Sequence, residues 1–163
     1  MNIGALNPNY LTPHFDIQEL TITESRAIDN SLPDRLIPNV LVLAGGLEIV
    51  RSETGAVPIF VTSGYRCPEL NESIGGARRS DHLLALAADC HHATMSVSEF
   101  FLSIYAARAR IPYRQLIYEF GRWVHIAFPM DGAGQEQIRP ENKVLVIRSR
   151  AEGYLPYHEG MEI

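Results

Sequence analysis

A short run rich in alanine and leucine, SDHLLALAADCHH at residues 80–92, contains three histidines and two aspartates. Imidazole and carboxylate groups bind metal ions and transfer protons, and an apolar run needs neither for packing. His82 and Asp89 are seven residues apart, and His125 lies in a distant strand-like run. A catalytic zinc ion typically takes three such ligands and leaves a fourth position for water. The three residues are therefore a candidate metal site. The alternative is a core histidine at 125, with loop or capping hydrogen bonds made by the other two.

The path of the chain between the first two candidate ligands decides whether they can meet. In one helix, a separation of seven residues would place His82 and Asp89 on the same face, whereas in one unbroken strand it would place them on opposite faces. A strand would therefore need a turn between them. His91 and His92 are adjacent, so on a strand only one of them can face the site, as a substitute ligand or as a support for a ligand.

The composition is that of one ordinary globular domain. The chain has 163 residues, 46% of them hydrophobic, and a formal charge of −5. A net negative chain is a poor partner for phosphate backbones, so nucleic acid is not expected. No segment approaches the roughly 18 apolar residues of a membrane span, and the first residues do not have the pattern of a secretory signal. Two cysteines, Cys67 and Cys90, cannot form a disulfide framework and are expected to be free thiols.

The elements around the candidate site alternate between helix and strand. Periodic apolar residues predict a helix over 35–53, a second helix is expected from Pro68, and the capping box at Ser96–Glu99 predicts a third that runs to about Arg110. Strand-like runs occupy residues 57–63, 114–119, 123–128 and 143–148. This order predicts an α+β fold in a single domain, with helices packed on a small, mostly antiparallel sheet. Residues 1–34 are expected to form an N-terminal arm.

Several motifs resemble the M15 family of zinc peptidases, which includes D-alanyl-D-alanine carboxypeptidases and related phage endolysins. The similarity covers roughly residues 12–128, leaves 129–163 as a C-terminal extension, and implies a DD-peptidase/hedgehog-like fold. The motifs that carry it are Ser63-Gly64-Tyr65-Arg66, Asn71, Gly75-Gly76, Ser80-Asp81-His82, Ala87, Asp89, Gln115-Leu116-Ile117-Tyr118-Glu119 and Trp123-Val124-His125.

The resemblance implies a role for each matching residue. His82, Asp89 and His125 would hold Zn²⁺, Arg66 would contact the substrate carbonyl or carboxylate, and Ser80 would help to position the substrate. These roles suit peptide hydrolysis, because zinc lowers the pKa of bound water to about 7 and a guanidinium stabilises the developing oxyanion. Arg66 could instead pair with a surface carboxylate.

The sequence departs from the family at the position where a general base is expected. Several branches carry a carboxylate three residues before the last histidine ligand, where this chain has Arg122, which cannot act as a base. Glu119 is the expected substitute. A three-residue hairpin loop at 120–122 would place Glu119 opposite Trp123 and on the same face as His125, whereas a two-residue loop would separate them. We predict the three-residue loop, with Asp81 as the alternative base.

A second departure is Ala85, where the family commonly has glycine. Alanine there means an ordinary backbone, a strained backbone or a different loop path.

The expected function is zinc-dependent hydrolysis of peptidoglycan stems at the bacterial cell wall or periplasm, and a short chain without a signal segment fits a phage enzyme. The alternative is a catalytically inactive, metal-containing binding or phage structural module.

Overall fold

In the part of the chain that the structure describes, six strands form one sheet, with helices packed on it. The computed structural model describes residues 9–25, 27–130 and 143–163. The strands, in chain order, are β1 (Ile59–Ser63), β2 (Ala87–His92), β3 (Gln115–Glu119), β4 (Trp123–Ala127), β5 (Lys143–Ile147) and β6 (Leu155–Pro156). In space they follow the order β1-β2-β4-β3-β5-β6, and all neighbours are antiparallel except β3 and β5. The α+β prediction is therefore confirmed, and the predicted strands differ from the observed ones by two residues or fewer at either end.

The α-helices of the described ranges are α1 (Ile37–Glu53), α2 (Pro68–Ser73) and α3 (Val97–Ala106). Both glycines in the middle of α1 remain helical, and the second lies against the core: a Cβ atom on Gly46 would stand 2.5 Å from the ring of Phe128. Helix α1 therefore approaches the sheet closely at this point, because glycine leaves room for the ring.

Helix α3 begins as predicted and ends earlier than predicted. Its capping box is complete, since Ser96 Oγ accepts from the Glu99 N–H and the Glu99 carboxylate accepts from the Ser96 N–H. The helix ends at Ala106 rather than near Arg110. The next residues form turns that bury Ile111 and Tyr113, and this burial directs the chain into β3.

The two faces of the sheet have different roles. One face packs against the helices through fully buried residues on the central strands and on β5: Ala88, Cys90, Leu116, Val124, Ile126 and Val146. Successive side chains of a strand point to opposite faces. The opposite face therefore carries Asp89, Ile117, Glu119 and His125, so the site is formed on a surface whose reverse side is rigidly packed.

The segment before the sheet contributes to this framework. In the N-terminal arm, Phe15 and Leu20 are fully buried in the core. The Asn30 side chain donates to the Tyr65 carbonyl and accepts from the Cys67 N–H, at 2.8 Å each. These bonds fix the loop between β1 and α2, which carries Arg66.

Candidate metal centre

The three candidate ligands come from two adjacent strands and one short turn. Asp89 of β2 and His125 of β4 are direct partners in the antiparallel ladder, so their side chains leave the sheet side by side. His82 lies in a 3₁₀ turn, Asp81–Leu84, which is capped at its start by Ser80 Oγ, the acceptor of the His82 N–H. Ala85 ends this turn in the left-handed region, with φ of 54°. The chain therefore turns between His82 and Asp89, as was expected if Asp89 lay in a strand. Of the three possibilities considered for Ala85, the strained backbone is the one observed.

The ligand atoms converge on one point. His82 Nε2 lies 3.2 Å from Asp89 Oδ1 and 3.1 Å from His125 Nδ1, and the last two atoms are 2.9 Å apart. Tetrahedral zinc with ligand distances of about 2.0–2.2 Å requires its ligand atoms to be roughly 3.3 Å apart. The cluster is therefore only a few tenths of an ångström tighter than a tetrahedral zinc site, and all three residues are buried.

The available protons cannot satisfy this cluster by hydrogen bonding alone. His82 Nδ1 donates to the Gly64 carbonyl at 2.6 Å, so in the neutral imidazole Nε2 carries a lone pair. That lone pair faces a carboxylate oxygen and a second ring nitrogen, and the hydrogen on His125 Nδ1 can point to only one of the two. Three electron-pair donors with at most one proton among them favour a bound cation, and the carbonyl bond that fixes the His82 tautomer is typical of metal-ligating histidines.

The surroundings of Asp89 and His82 favour the protonation states that bind a cation. Burial raises the pKa of Asp89, but the interactions with His82 and His125 lower it more, so the carboxylate stays ionised well below its usual range. Burial lowers the pKa of His82, and this effect outweighs the attraction of Asp89, so the imidazole stays neutral. An ionised carboxylate and a neutral imidazole are the forms in which these residues bind metals.

Arg66 contacts the candidate ligand cluster through Asp89. Its Nη2 donates to Asp89 Oδ2, and its Nε donates to Ser63 Oγ at 2.8 Å. The carboxylate thus presents one oxygen to the cluster and the other to the arginine. Among the described residues no partner is found for Nη1, and Arg66 lines the cleft described below.

Glu119 lies where the three-residue loop was predicted to put it. Glu119 is paired with Trp123, and Phe120, Gly121 and Arg122 form the loop, with Phe120 and Gly121 at φ of 56° and 65°. Trp123 Nε1 donates to Glu119 Oε2 at 3.1 Å. Burial and the charge of Asp89 raise the pKa of Glu119 against the opposing effect of His125, with burial the largest influence. A carboxyl with a raised pKa beside the candidate ligand cluster is suited to accepting and returning a proton.

A cleft of about 820 Å³ opens over the cluster. Such a volume is in the range of pockets for small molecules and short peptides rather than for an ion alone. It is lined by the three candidate ligands, by Arg66, Ser80 and Glu119, and by Arg150 and Tyr154 of the C-terminal extension. Sequence reasoning did not identify the last two, because they enter the cleft only through the pairing of β5 with β3.

The other groups considered from the sequence lie outside the cluster. His92 is held by the Thr54 carbonyl and the Met95 N–H, and His91 is not among the grouped ligand atoms. Asp81 lines the cleft but is ion-paired with Arg114, which makes it a poor base. Both cysteines are free thiols.

The three clustered residues could hold a metal ion at the cleft, and comparison with known families agrees with this possibility. The model of the Peptidase M15 family matches residues 13–127. The match spans most of the chain, so the protein belongs to the Peptidase M15 family, whose members are metallopeptidases that act on peptides. None of the curated proteins matches the chain. Within the described ranges, no helix has the length and apolar character needed to cross a membrane.

Proposed function

We propose that this protein is a zinc-dependent peptidase that hydrolyses peptide bonds in the stems of bacterial peptidoglycan. The observation that carries the proposal is the convergence of three proton-poor ligand atoms, within 3.2 Å of one another, in an open cleft that is also lined by the half-buried Glu119. Membership of the M15 family supports the peptidase class, and the resemblance to cell-wall carboxypeptidases and endolysins supports the substrate.

Each residue of the centre has a definite task in this proposal. His82 Nε2, Asp89 Oδ1 and His125 Nδ1 would hold the zinc ion. When bound, zinc would supply Lewis acidity, which lowers the pKa of a water molecule to about 7 and polarises a carbonyl. Glu119 takes up the proton of the attacking water and returns it to the leaving amine, while Trp123 Nε1 holds one carboxylate oxygen in place.

Arg66 and Ser80 act on the substrate rather than on the water. With Nε and Nη2 engaged by Ser63 and Asp89, the orientation of the Arg66 guanidinium is fixed. Its Nη1 donates to the carbonyl oxygen as negative charge develops there, a form of stabilisation that costs no reorganisation. Ser80 lines the cleft immediately before the turn that carries His82, and it positions the substrate backbone.

The place of action follows from the substrate. The protein would act at the cell wall or in the periplasm, and a phage lysis enzyme or particle peptidase fits this role. The competing function is a metal-containing binding module without turnover, and the motivating observation is Arg122 at the position where several family branches carry the base.

Digestion of purified peptidoglycan with zinc-loaded and chelated protein, followed by mass analysis of the fragments, tests the proposal. We expect new amino termini or released residues with zinc and none with the chelator, and the fragment masses identify the bond that is cut. Stoichiometric zinc with no fragments from any peptidoglycan would instead support the binding module.

A further inference from the structure

The segment that connects β5 to β6, residues 148–154, forms one wall of the cleft. Arg150, Gly153 and Tyr154 line it together with the last residues of β5. The segment lies beyond residue 127, where the family match ends. Its contacts with the cleft are therefore a property of this chain's C-terminal extension.

The sheet fixes the beginning of this segment next to the proposed base. Strand β5 runs parallel to β3, with Ile147 paired with Glu119, and the Phe120 N–H donates to the Ile147 carbonyl at 2.7 Å. Both strands therefore end at the same edge of the sheet. The chain that leaves β5 starts within one strand spacing, ~5 Å, of Glu119.

The far end of the segment is also fixed. Leu155 pairs with Val146, and the Tyr157 ring packs edge-on against Phe101 and Tyr105 at centroid distances of 5.1 and 4.8 Å. Within the segment, Arg148 bonds to Glu152 at 3.1 Å. A loop held at both ends and across its middle presents its side chains to the cleft in a defined position.

Arg150 and Tyr154 have polar groups without a hydrogen-bond partner among the described residues. Arg150 has no carboxylate partner among the described residues, whereas Arg66 is paired with Asp89. Tyr154 is 57% exposed, and its hydroxyl has no partner within the same ranges. Partial burial and the charges of Glu119 and Asp89 raise the pKa of Tyr154, so the phenol is neutral and can donate. A cation and a neutral hydroxyl donor on the same wall of a cleft suit a carboxylate.

We propose that Arg150 and Tyr154 form a carboxylate-binding subsite that holds an anionic group of the substrate peptide next to the scissile bond. The inference rests on the proposed peptidase function and specifies its substrate class: peptides with a free carboxylate close to the cut bond, as peptidoglycan stems have. The carboxylate of the substrate would lie against the wall formed by residues 148–154, where Arg150 supplies a positive charge.

The test compares one synthetic stem pentapeptide in two forms, with its carboxylates free and with all of them converted to amides. Steady-state cleavage and calorimetric binding of both forms are measured for the zinc-loaded wild type, Arg150→Gln and Tyr154→Phe. We expect the wild type to prefer the free form by about tenfold in KM and Kd, the value of a partly exposed charge-assisted bond. Arg150→Gln should lose this preference with kcat nearly unchanged, and Tyr154→Phe should lose part of it.

Arg122→Gln is the matched control, because it removes the same charge from an exposed hairpin residue that does not line the cleft. It should keep the wild-type preference, and Arg150→Lys should retain part of it. The same discrimination between the two peptides in the wild type, Arg150→Gln and Tyr154→Phe would overturn the subsite. Selective binding of the free form without cleavage of either would support the subsite and contradict the peptidase function, so the two failures are distinguishable.

Discussion

Asp89 and His125 are opposite partners in the β2–β4 ladder, and their ligand atoms Oδ1 and Nδ1 lie 2.9 Å apart. Two of the three candidate ligands are thus fixed by backbone pairing in the centre of the sheet, before any ion binds. The third, His82, is aimed at them by its bond to the Gly64 carbonyl. Preorganisation of this kind lowers the entropic cost of binding a metal, because few side-chain rotamers remain to be ordered.

The first prediction concerns metal content. His82→Ala, Asp89→Ala and His125→Ala should each weaken zinc binding by at least about 100-fold, since even loss of an outer-shell partner typically costs 10- to 100-fold. Titration of the metal-free protein with zinc, monitored by calorimetry, measures the zinc affinity. His91→Gln is the control: it changes the same residue type on the same strand, two positions from Asp89, and should leave about one zinc ion per chain. Equal affinity in the wild type and all three alanine variants would show that the cluster is not the metal site.

The second prediction concerns the base. Glu119→Gln keeps the shape of the side chain and can still accept from Trp123, but it cannot take up a proton. We expect kcat to fall by roughly 10²- to 10⁴-fold, the usual contribution of general base catalysis, with zinc content unchanged. Glu72→Gln, an exposed change on α2 away from the cleft, should have the activity of the wild type. Retention of more than a tenth of the activity in Glu119→Gln would remove this residue from the role.

The hairpin of β3 and β4 could be predicted from local sequence and the three candidate ligands from the family resemblance, whereas the cleft wall that follows β5 could not be predicted. The register of the β3–β4 hairpin follows from a three-residue loop between two alternating runs, so the position of Glu119 relative to His125 was accessible. The parallel pairing of β5 with β3 cannot be recognised from a local sequence pattern, because it joins strands separated by more than twenty residues. Arg150 and Tyr154 were therefore missed. The left-handed backbone at Ala85 was also undetermined, since only tertiary packing stabilises alanine there.

The third prediction tests how the backbone supports His82. A Cβ atom on Gly64 would lie 2.2 Å from the Leu20 carbonyl oxygen, a backbone atom that cannot move aside alone. Gly64→Ala must therefore displace the carbonyl that accepts from His82. We expect a loss of about 3 kcal/mol or more in the free energy of unfolding, together with weaker zinc binding.

Gly45→Ala is the control, and we expect it to change the stability in the opposite direction. It lies inside α1, where a Cβ atom meets nothing within 4 Å, so alanine should stabilise the protein by about 0.5–1 kcal/mol and leave zinc affinity unchanged. Urea unfolding of both variants and zinc titration check the pair. A Gly64→Ala protein with wild-type stability would mean that Gly64 and Leu20 are not in close contact.

The last prediction is that the metal-free protein loses stability in mild acid. The pKa of buried His82 is lower in the folded protein than its ordinary 6.5, so the unfolded chain takes up a proton that the folded chain refuses. The free energy of unfolding should therefore fall as the pH drops below about 6.5, by up to 1.4 kcal/mol per pH unit for this one group. Asp89 has the same sign at lower pH, because its folded pKa lies well below 3.8. Glu119 opposes both, since its folded pKa is raised and acid favours its folded form.

Urea unfolding with a chelator at pH 7, 6 and 5 measures this linkage. We expect the free energy of unfolding to fall by about 1–2 kcal/mol between pH 7 and pH 5, and the decrease should be smaller in His82→Gln, which has no group to protonate. Glu119→Gln should show a steeper decrease below pH 6, because the opposing group is removed. A pH-independent unfolding free energy over this range, or the same decrease in His82→Gln, would mean that His82 is not buried as a neutral imidazole.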